Sequence, residues 1–300
     1  MRALVIGYGS AGRRHIEILD RLGYQVSIVS NHATGDRKFS VFKDISDAYA
    51  RAEYALCIIA SVTSEHIEHF REVLKNSSKT KICIEKPLCS VISDLKGLNF
   101  RNQVYVGYNM RFLSGIAIIK RNLENERVIR AAFVVSTYLP NWRTNRTYQK
   151  GYSTRKELGG GVLRELSHEI DLIHYILGTP KVVYSRVYNS GVLCGDAEDG
   201  CDVLLESGQC SYISLSLNYH SKNSMRYIQI DTEKHSYYYD ILSSRLTVDG
   251  VEVSECNSMT ESYVEMHRSI LVKDESVVAS YEDGLNVVRC IEQVEARAEG

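Results

Sequence analysis

The stretch Gly159-Gly160-Gly161-Val162-Leu163-Arg164-Glu165-Leu166-Ser167-His168-Glu169-Ile170-Asp171 joins three glycines to an imidazole, carboxylates and a guanidinium. Glycines let the backbone come close to a bulky neighbour. The helical pattern behind them carries Leu163, Leu166, Ile170, Ile173 and Leu177 as one apolar stripe. His168 falls on nearly the opposite side, with Glu165 three residues and Arg164 four residues before it. The apolar face can then sit on a core while the imidazole points into a cleft, which suits proton transfer. A capped or solvated helix histidine is the alternative. His174 lies nearer the stripe and reads as structural.

Lys86 is a second candidate. The strand pattern at 81–84 runs into Glu85-Lys86-Pro87, and open α/β sheets bind ligands beyond the carboxyl ends of their strands. A lysine there can hydrogen-bond a substrate hydroxyl and stabilise the alkoxide as hydride leaves. The alternative is an ordinary surface lysine. Pro87 fixes the local turn, in either isomer.

A third pattern, Gly7-Tyr8-Gly9-Ser10-Ala11-Gly12, directly follows the first strand and opens a helix. In a dinucleotide fold the first glycine makes the tight turn and the second admits the pyrophosphate. The third packs helix on strand, and Ser10 and Ala11 offer helix N-terminal N–H groups to the phosphates. The next strand ends in Ser30-Asn31-His32, where an NAD enzyme places a carboxylate, and none follows until Asp36. Ser30, His32, Arg13 and Arg37 suit a 2′-phosphate instead, so NAD(P) is expected with a lean to NADP.

These groups need a scaffold. The first ~110 residues alternate β-rich apolar runs at 3–6, 25–29, 55–59, 81–84 and 104–106 with helical patterns starting near Ala11, Ser46, Thr63 and Ser90. That predicts a parallel sheet of βαβ units. Longer alternating strands follow at 128–139, 182–188, 201–206, 210–218 and 226–231, with further strands at 237–241 and 246–248. They predict a mostly antiparallel open sheet in an α+β domain, with 159–177 as one long inserted helix. Helices near 261–272 and 282–297 close the chain. The expected division is 1–115, a nucleotide-binding domain, and 116–300, a substrate and oligomerisation domain, the last helix packing back on the first.

Composition narrows the classes. With 36 basic and 37 acidic side chains among 300 residues, the net charge of −1 gives no case for nucleic acid or an anionic membrane. No apolar run approaches the ~20 residues of a membrane span, and the amino terminus shows no cleavable signal pattern. The eight cysteines form no CxxC pair. They read as reduced core thiols of a cytoplasmic chain, with no metal site.

The motifs Gly7-x-Gly9-x-x-Gly12-x-x-His15, Glu85-Lys86-Pro87, Gly107-Tyr108-Asn109-Met110-Arg111-Phe112 and the 159–171 segment occur in the order and spacing of a known family. The chain resembles the glucose–fructose oxidoreductase / inositol dehydrogenase / MocA (Gfo/Idh/MocA) oxidoreductases over most of its length. Ala60-Ser61-Val62-Thr63 to His66 looks like that family's loop after the fourth nucleotide-domain strand, and Asp283-Gly284 like its carboxy-terminal element. The resemblance implies a Rossmann domain, an open antiparallel sheet, and NAD(P)-dependent chemistry at a hydroxyl of a sugar, sugar acid or cyclitol. It carries the catalytic lysine to Lys86 and the helix histidine to His168, and counts Ala60, Ser61 and Glu85 with the cofactor and Arg111 with the substrate. Many members carry an aspartate one turn before the histidine. Here Glu165 is favoured for that place, since a carboxylate orients the ring and raises its basicity. Arg164 is the alternative, or contacts an anionic substrate group.

Between the first long strand and the glycines, the segment 138–152 holds the only tryptophan, Trp142, with Arg143, Arg146, Lys150 and Tyr152. Aromatic faces suit sugar rings and the cations suit a carboxylate or phosphate; a solvated loop or subunit contact is the plain reading. With the glycine segment it looks like members acting on surface-polysaccharide or acidic-sugar precursors. A homodimer or homotetramer through the second-domain sheet is expected. The competing function is a catalytically inactive dinucleotide-binding regulator or redox sensor. His15 is expected to pack inside the nucleotide domain.

Overall fold

A computed structural model of the chain describes residues 1–31, 38–142, 148–272 and 276–298. The chain divides into two units: Met1–Tyr108 with His267–Leu285, and Asn109–Met266 with Asn286–Gly300.

The first unit is built on short strands, almost wholly buried except the exposed β3: β1 (Arg2–Ile6), β2 (Gln25–Val29), β3 (Ser40–Phe42), β4 (Leu56–Ile59), β5 (Lys81–Ile84) and β6 (Val104–Val106). They pair in parallel in the order β3-β2-β1-β4-β5-β6. Helices α1 (Ser10–Arg21), α2 (Ile45–Arg51) and α3 (His66–Asn76) make the crossovers. Strand order reverses between β1 and β4, the switch point where such sheets open a crevice at their carboxyl ends. Two expectations shift here. The helix expected near Ser90 is only a 3-10 turn, Ile92–Leu95, stopped by Gly97 at φ +77°. The edge strand β3 is three residues long, too short to show alternation. Residues near the carboxyl end complete this unit. Val106 N–H donates to Ala279 O (2.9 Å), and a Cβ on Gly284 would press on Val106 and Leu88.

The second unit opens with α4 (Ser114–Leu123), then β7 (Val128–Tyr138), α5 (Val162–Glu165) and α6 (His168–Leu177). The strands β8 (Lys181–Tyr188), β9 (Gly200–Glu206), β10 (Ile213–Asn218), β11 (His220–Thr232), β12 (Ser236–Asp240), β13 (Arg245–Val248) and β14 (Val251–Glu255) follow. The helices α7 (Met259–Val272) and α8 (Tyr281–Ala298) each contribute residues to both units. The sheet runs β14-β13-β12-β11-β7-β10-β9-β8 and is antiparallel at every neighbouring pair except β7 and β10. Its register aligns Val203, Leu215, Phe133, Ile228, Tyr239 and Leu246 across six strands as one buried row. Period-2 alternation puts that row against the core. Gly115 of α4 lies so close to the Tyr239 ring that a Cβ would meet it at 2.7 Å. α4 was not expected from sequence; its buried Ile116, Ile119 and Leu123 follow helical spacing.

The helix expected over 159–177 is broken. After one turn, Val162–Glu165, the residues Leu166 and Ser167 form a turn, and a new helix begins at His168. The single-stripe reading fails because α6 is buried on several faces, with Leu172 as enclosed as Ile170 and Ile173. Among the described residues no helix is long and apolar enough to cross a membrane.

Candidate active site

In the first unit the strand-end loops converge at the switch point. Gly7 adopts φ +102°, which favours glycine, and a Cβ there would overlap the Ala60 carbonyl. Gly12 packs against the Gly7 carbonyl in the same way. Gly9 differs: its Cβ direction meets no protein atom within 4 Å. Gly9 also caps α1 without a side chain, and no acidic residue lies in the first turn. A helix start with its Ser10, Ala11 and Gly12 amides beside an open glycine fits a pyrophosphate. The residues present therefore fit a dinucleotide. Ser30 lies at the end of β2, its N–H bonded to Phe42 O (3.1 Å), with Asn31 exposed beside it. His32, Asp36 and Arg37 lie outside the described residues.

The open direction at Gly9 makes a prediction. Gly9→Ala should keep native thermal stability while weakening NAD(P)H affinity, whereas Gly12→Ala should lower the melting temperature. Melting curves and a fluorescence titration on the same samples check both.

Lys86 is half-buried, two residues beyond the end of β5, in a turn braced by its neighbours. Glu85 N–H donates to Ile59 O (2.8 Å), and the Lys86 N–H donates to Glu85 Oε2 (3.0 Å). The Lys86–Pro87 bond is cis. The Pro87 carbonyl accepts from His66 Nδ1 (2.9 Å), while His66 Nε2 lies 3.3 Å from Ser61 O. Burial holds the His66 imidazole below the usual range and so keeps it neutral; its one N–H then ties α3 to the Lys86 turn through the Pro87 carbonyl, with the Ser61 carbonyl beside the other ring nitrogen. Burial would raise the Glu85 carboxyl, but His15 and Lys86 outweigh it and leave it below the ordinary value. The eight cysteines are free thiols. Burial pushes Cys57, Cys83 and Cys201 upward, so they stay protonated.

In the second unit the glycines have protein neighbours. A Cβ on Gly160 would overlap the Tyr152–Ser153 backbone, and one on Gly161 (φ +104°) the Glu198 carboxylate. Val162–Glu165 and His168 are buried behind them. Glu165 Oε2 accepts from the Tyr219 hydroxyl at 2.8 Å. Burial and the Glu165 charge hold Tyr219 far above its ordinary value, so it stays a donor. Trp142 stands edge-on to Tyr219, ring centres 5.1 Å apart, and donates from Nε1 to Thr137 Oγ1 (2.7 Å). Tyr152 is half-buried, and Arg143 with Arg146 lies outside the described residues.

Of the guanidiniums counted as substrate contacts, the two in described residues, Arg111 and Arg164, are engaged by carboxylates. Arg164 makes a forked pair with Glu295 (2.6 and 3.1 Å). Arg111, 4% exposed, grips Asp171, 1% exposed, through Nε (3.1 and 2.9 Å) and Nη2 (2.6 Å). Its guanidinium also lies over the Tyr175 ring at 4.7 Å. Glu169, next to His168, is forked by Arg226 of β11 (2.7 and 3.1 Å). The first turn of α6 is thus anchored on two sides, which fixes where His168 stands. The break after Glu165 interrupts the helical register that placed Glu165 and Arg164 beside the imidazole. Sequence reasoning did not reach Tyr219, Arg226 or Glu198, none of which carries a local signal. His66 stood inside a quoted motif with no role attached.

Glu198 is the strained member. It accepts from Leu163 N–H (3.3 Å), yet burial raises its carboxyl despite the opposing pull of Arg164. A folded-state value above the unfolded one gives stability that is present at low pH and lost as pH rises through the folded value. Glu198→Gln keeps the acceptor and removes the charge. It should therefore melt higher than the native chain at neutral pH, the gain vanishing in acid.

Residues 1–101 match the family described as "Oxidoreductase family, NAD-binding Rossmann fold" (GFO_IDH_MocA), and residues 119–238 match the "GFO/IDH/MocA C-terminal domain". A search of curated proteins by sequence found no match. Among solved structures, the WlbA dehydrogenase from Bordetella pertussis, in complex with NADH and UDP-GlcNAcA, superposes with TM-score 0.80. It is 16% identical, over 99% of this chain and 96% of that one. Levoglucosan dehydrogenase, in complex with NADH and levoglucosan, gives TM-score 0.83 at 14% identity, covering 100% and 97% of the two chains. GenD2 from gentamicin A biosynthesis, in complex with NAD, gives 0.80 at 16% identity, covering 100% and 94%. At these identities the likeness is one of fold.

Proposed function

Because the chain belongs to the Gfo/Idh/MocA family of oxidoreductases with an NAD-binding Rossmann fold, we propose that it moves a hydride to or from a hydroxyl-bearing carbon of a sugar, sugar acid or cyclitol. The observation that carries this reading is the open Gly9 at the switch point, with the braced Lys86 turn beyond β5 of the same sheet. The carbohydrate class draws support from the neighbours whose complexes hold UDP-GlcNAcA and levoglucosan.

A bound nicotinamide supplies the hydride acceptor or donor. Gly7, Gly9, Gly12 and the α1 amides would hold the pyrophosphate of the dinucleotide, with Ala60 and Ser61 on the next loop. Lys86 hydrogen-bonds the substrate oxygen and stabilises it as an alkoxide, and His168 takes the hydroxyl proton or returns it. Glu165, oriented by Tyr219, is the carboxylate of the set. Arg164 and Arg111 are reassigned from substrate contact to holding the framework around His168, since each is forked to a buried or half-buried acid. Trp142 and Tyr152 remain the aromatic candidates for a sugar ring.

NADP(H) is the preferred form on one observation: β2 ends in Ser30-Asn31, with no acid at the ribose position. Tighter binding of NADPH than NADH is expected in a fluorescence titration, and the reverse order would remove the preference. Self-association is proposed through the outer sheet face. There Tyr184, Leu204, Gln229, Tyr238 and Thr247 align across strands, and the Tyr227 and Tyr238 rings sit 5.3 Å apart. A monomer by light scattering at micromolar concentration would overturn it.

A nicotinamide-absorbance screen against sugars, sugar acids, inositols and nucleotide sugars, with both cofactors, tests the reaction. Tight NAD(P)H binding with no turnover across the panel would favour the regulator or redox sensor instead.

A further inference from the structure

The structure buries a chain of three ionisable groups that the proposed reaction does not use directly. His15 stands on α1, three residues beyond Gly12, and is 0% exposed. Its Nε2 lies 2.8 Å from Glu85 Oε1, and its Nδ1 lies 2.8 Å from Nε2 of His267, also 0% exposed. The two rings meet edge to face, 5.0 Å between centres at 87°. The other oxygen of Glu85 accepts the Lys86 N–H at 3.0 Å. All four residues belong to the first unit.

The direction of each bond follows from the chemistry. An ionised carboxylate only accepts, so the proton between His15 and Glu85 sits on His15 Nε2. Burial and His15 hold the His267 imidazole well below its usual range, so it is neutral. The tautomer of one ring then sets the tautomer of the other. On one side this pair of rings is bolted to the helix that opens with the dinucleotide loop. On the other it holds the carboxylate that fixes the backbone of the lysine turn. Gly107 packs closely on this carboxylate: a Cβ there would come within 3.3 Å of the Glu85 carboxyl carbon. The carboxylate therefore has little room to change its position.

We propose that the His15–Glu85 bond, backed by His267, is a positioning device that couples helix α1 and its cofactor loop to the Lys86 turn. His15 touches neither the substrate nor the reacting atoms; it sets where Lys86 stands relative to a dinucleotide seated at Gly9. This rests on the oxidoreductase reading above and adds a residue to it.

The test compares the native chain with His15→Leu, His15→Gln and the double variant His15→Leu/Glu85→Gln. Three quantities are read: NADH affinity by fluorescence, hydrogen exchange at the Lys86 amide, and turnover on whichever substrate the native chain accepts. In His15→Leu, NADH affinity should stay within about threefold while turnover falls about 100-fold, the cost of a small misplacement of a reacting group. Exchange at the Lys86 amide should rise about tenfold or more as its acceptor loses its anchor. His15→Gln should recover most of both losses, because its Nε2–H reaches the same carboxylate; a purely space-filling role would give no such rescue. Should His15→Leu fail to fold around the stranded Glu85 charge, the double variant removes that charge and should show the same two losses. Native exchange and turnover in His15→Leu or in the double variant, or equal losses in His15→Gln and His15→Leu, would overturn the coupling. A native chain that binds neither NADH nor NADPH would overturn the oxidoreductase reading and the coupling with it. Binding and turnover with unaltered variants would overturn the coupling alone.

Discussion

Lys86→Ala and His168→Ala should each lower turnover by about 10²–10⁴, the usual contribution of a positioned acid–base or oxyanion-stabilising group. That corresponds to about 2.7–5.5 kcal/mol of transition-state stabilisation. The two losses have different physical origins. Without Lys86 the substrate oxygen keeps its proton acceptor but loses the cation that stabilises it as an alkoxide. Without His168 the alkoxide has its cation but the hydroxyl proton has no base. Cofactor affinity should stay near native in both, because on the proposed reading the pyrophosphate would be held by the Gly7–Gly12 loop and the α1 amides. Steady-state kinetics beside a fluorescence titration separate the two effects. Unchanged turnover in either variant would sink the corresponding assignment. Melting curves guard the His168 result, since this residue is 8% exposed and begins α6.

The largest effect on stability is expected at Arg111. Arg111→Leu strands the Asp171 carboxylate, 1% exposed, in the core of the second unit. Removing one partner of a buried pair costs about 3–5 kcal/mol, or about 6–20 °C in melting temperature for a unit of this size. The loss of the cation lying over Tyr175 acts in the same direction. Arg111→Leu/Asp171→Leu should recover much of the loss, because two apolar groups leave no charge unpaired. Chemical denaturation of the three chains measures this. A native midpoint in the single variant, together with a raised KM, would return Arg111 to the substrate side.

That contrast shows where the sequence is informative. Gly7 and Gly12 were legible because a tight turn and close approaches demand glycine, so residue type alone encodes the backbone requirement. The buried runs at β1, β2, β4 and β5 were legible because parallel strands covered on both faces become continuous apolar segments. The framework around His168 was not. Arg111 and Asp171 are 60 residues apart, Tyr219 and Glu165 are 54, and Arg164 and Glu295 are 131. No local pattern announces a partner at such distances. The same limit left Arg164 open as a contact for an anionic substrate group, since its partner Glu295 lies far along the chain. The broken helix at Leu166–Ser167 escaped for a related reason. Apolar spacing tracks burial, and burial continues straight through the turn.

The first unit also draws on the end of the chain. Residues 267–285 belong to it, supplying His267, the Ala279 carbonyl for Val106 and the glycine that admits Val106 beside α8. During synthesis, residues 109–266 must leave the ribosome before those pieces exist. The nucleotide-binding sheet, made first, is therefore finished last. Until then its β6 edge and the inner side of α1 stand without their final covering, so a nascent chain halted before residue 267 should be far more open to proteolysis than its native-looking early sequence would suggest.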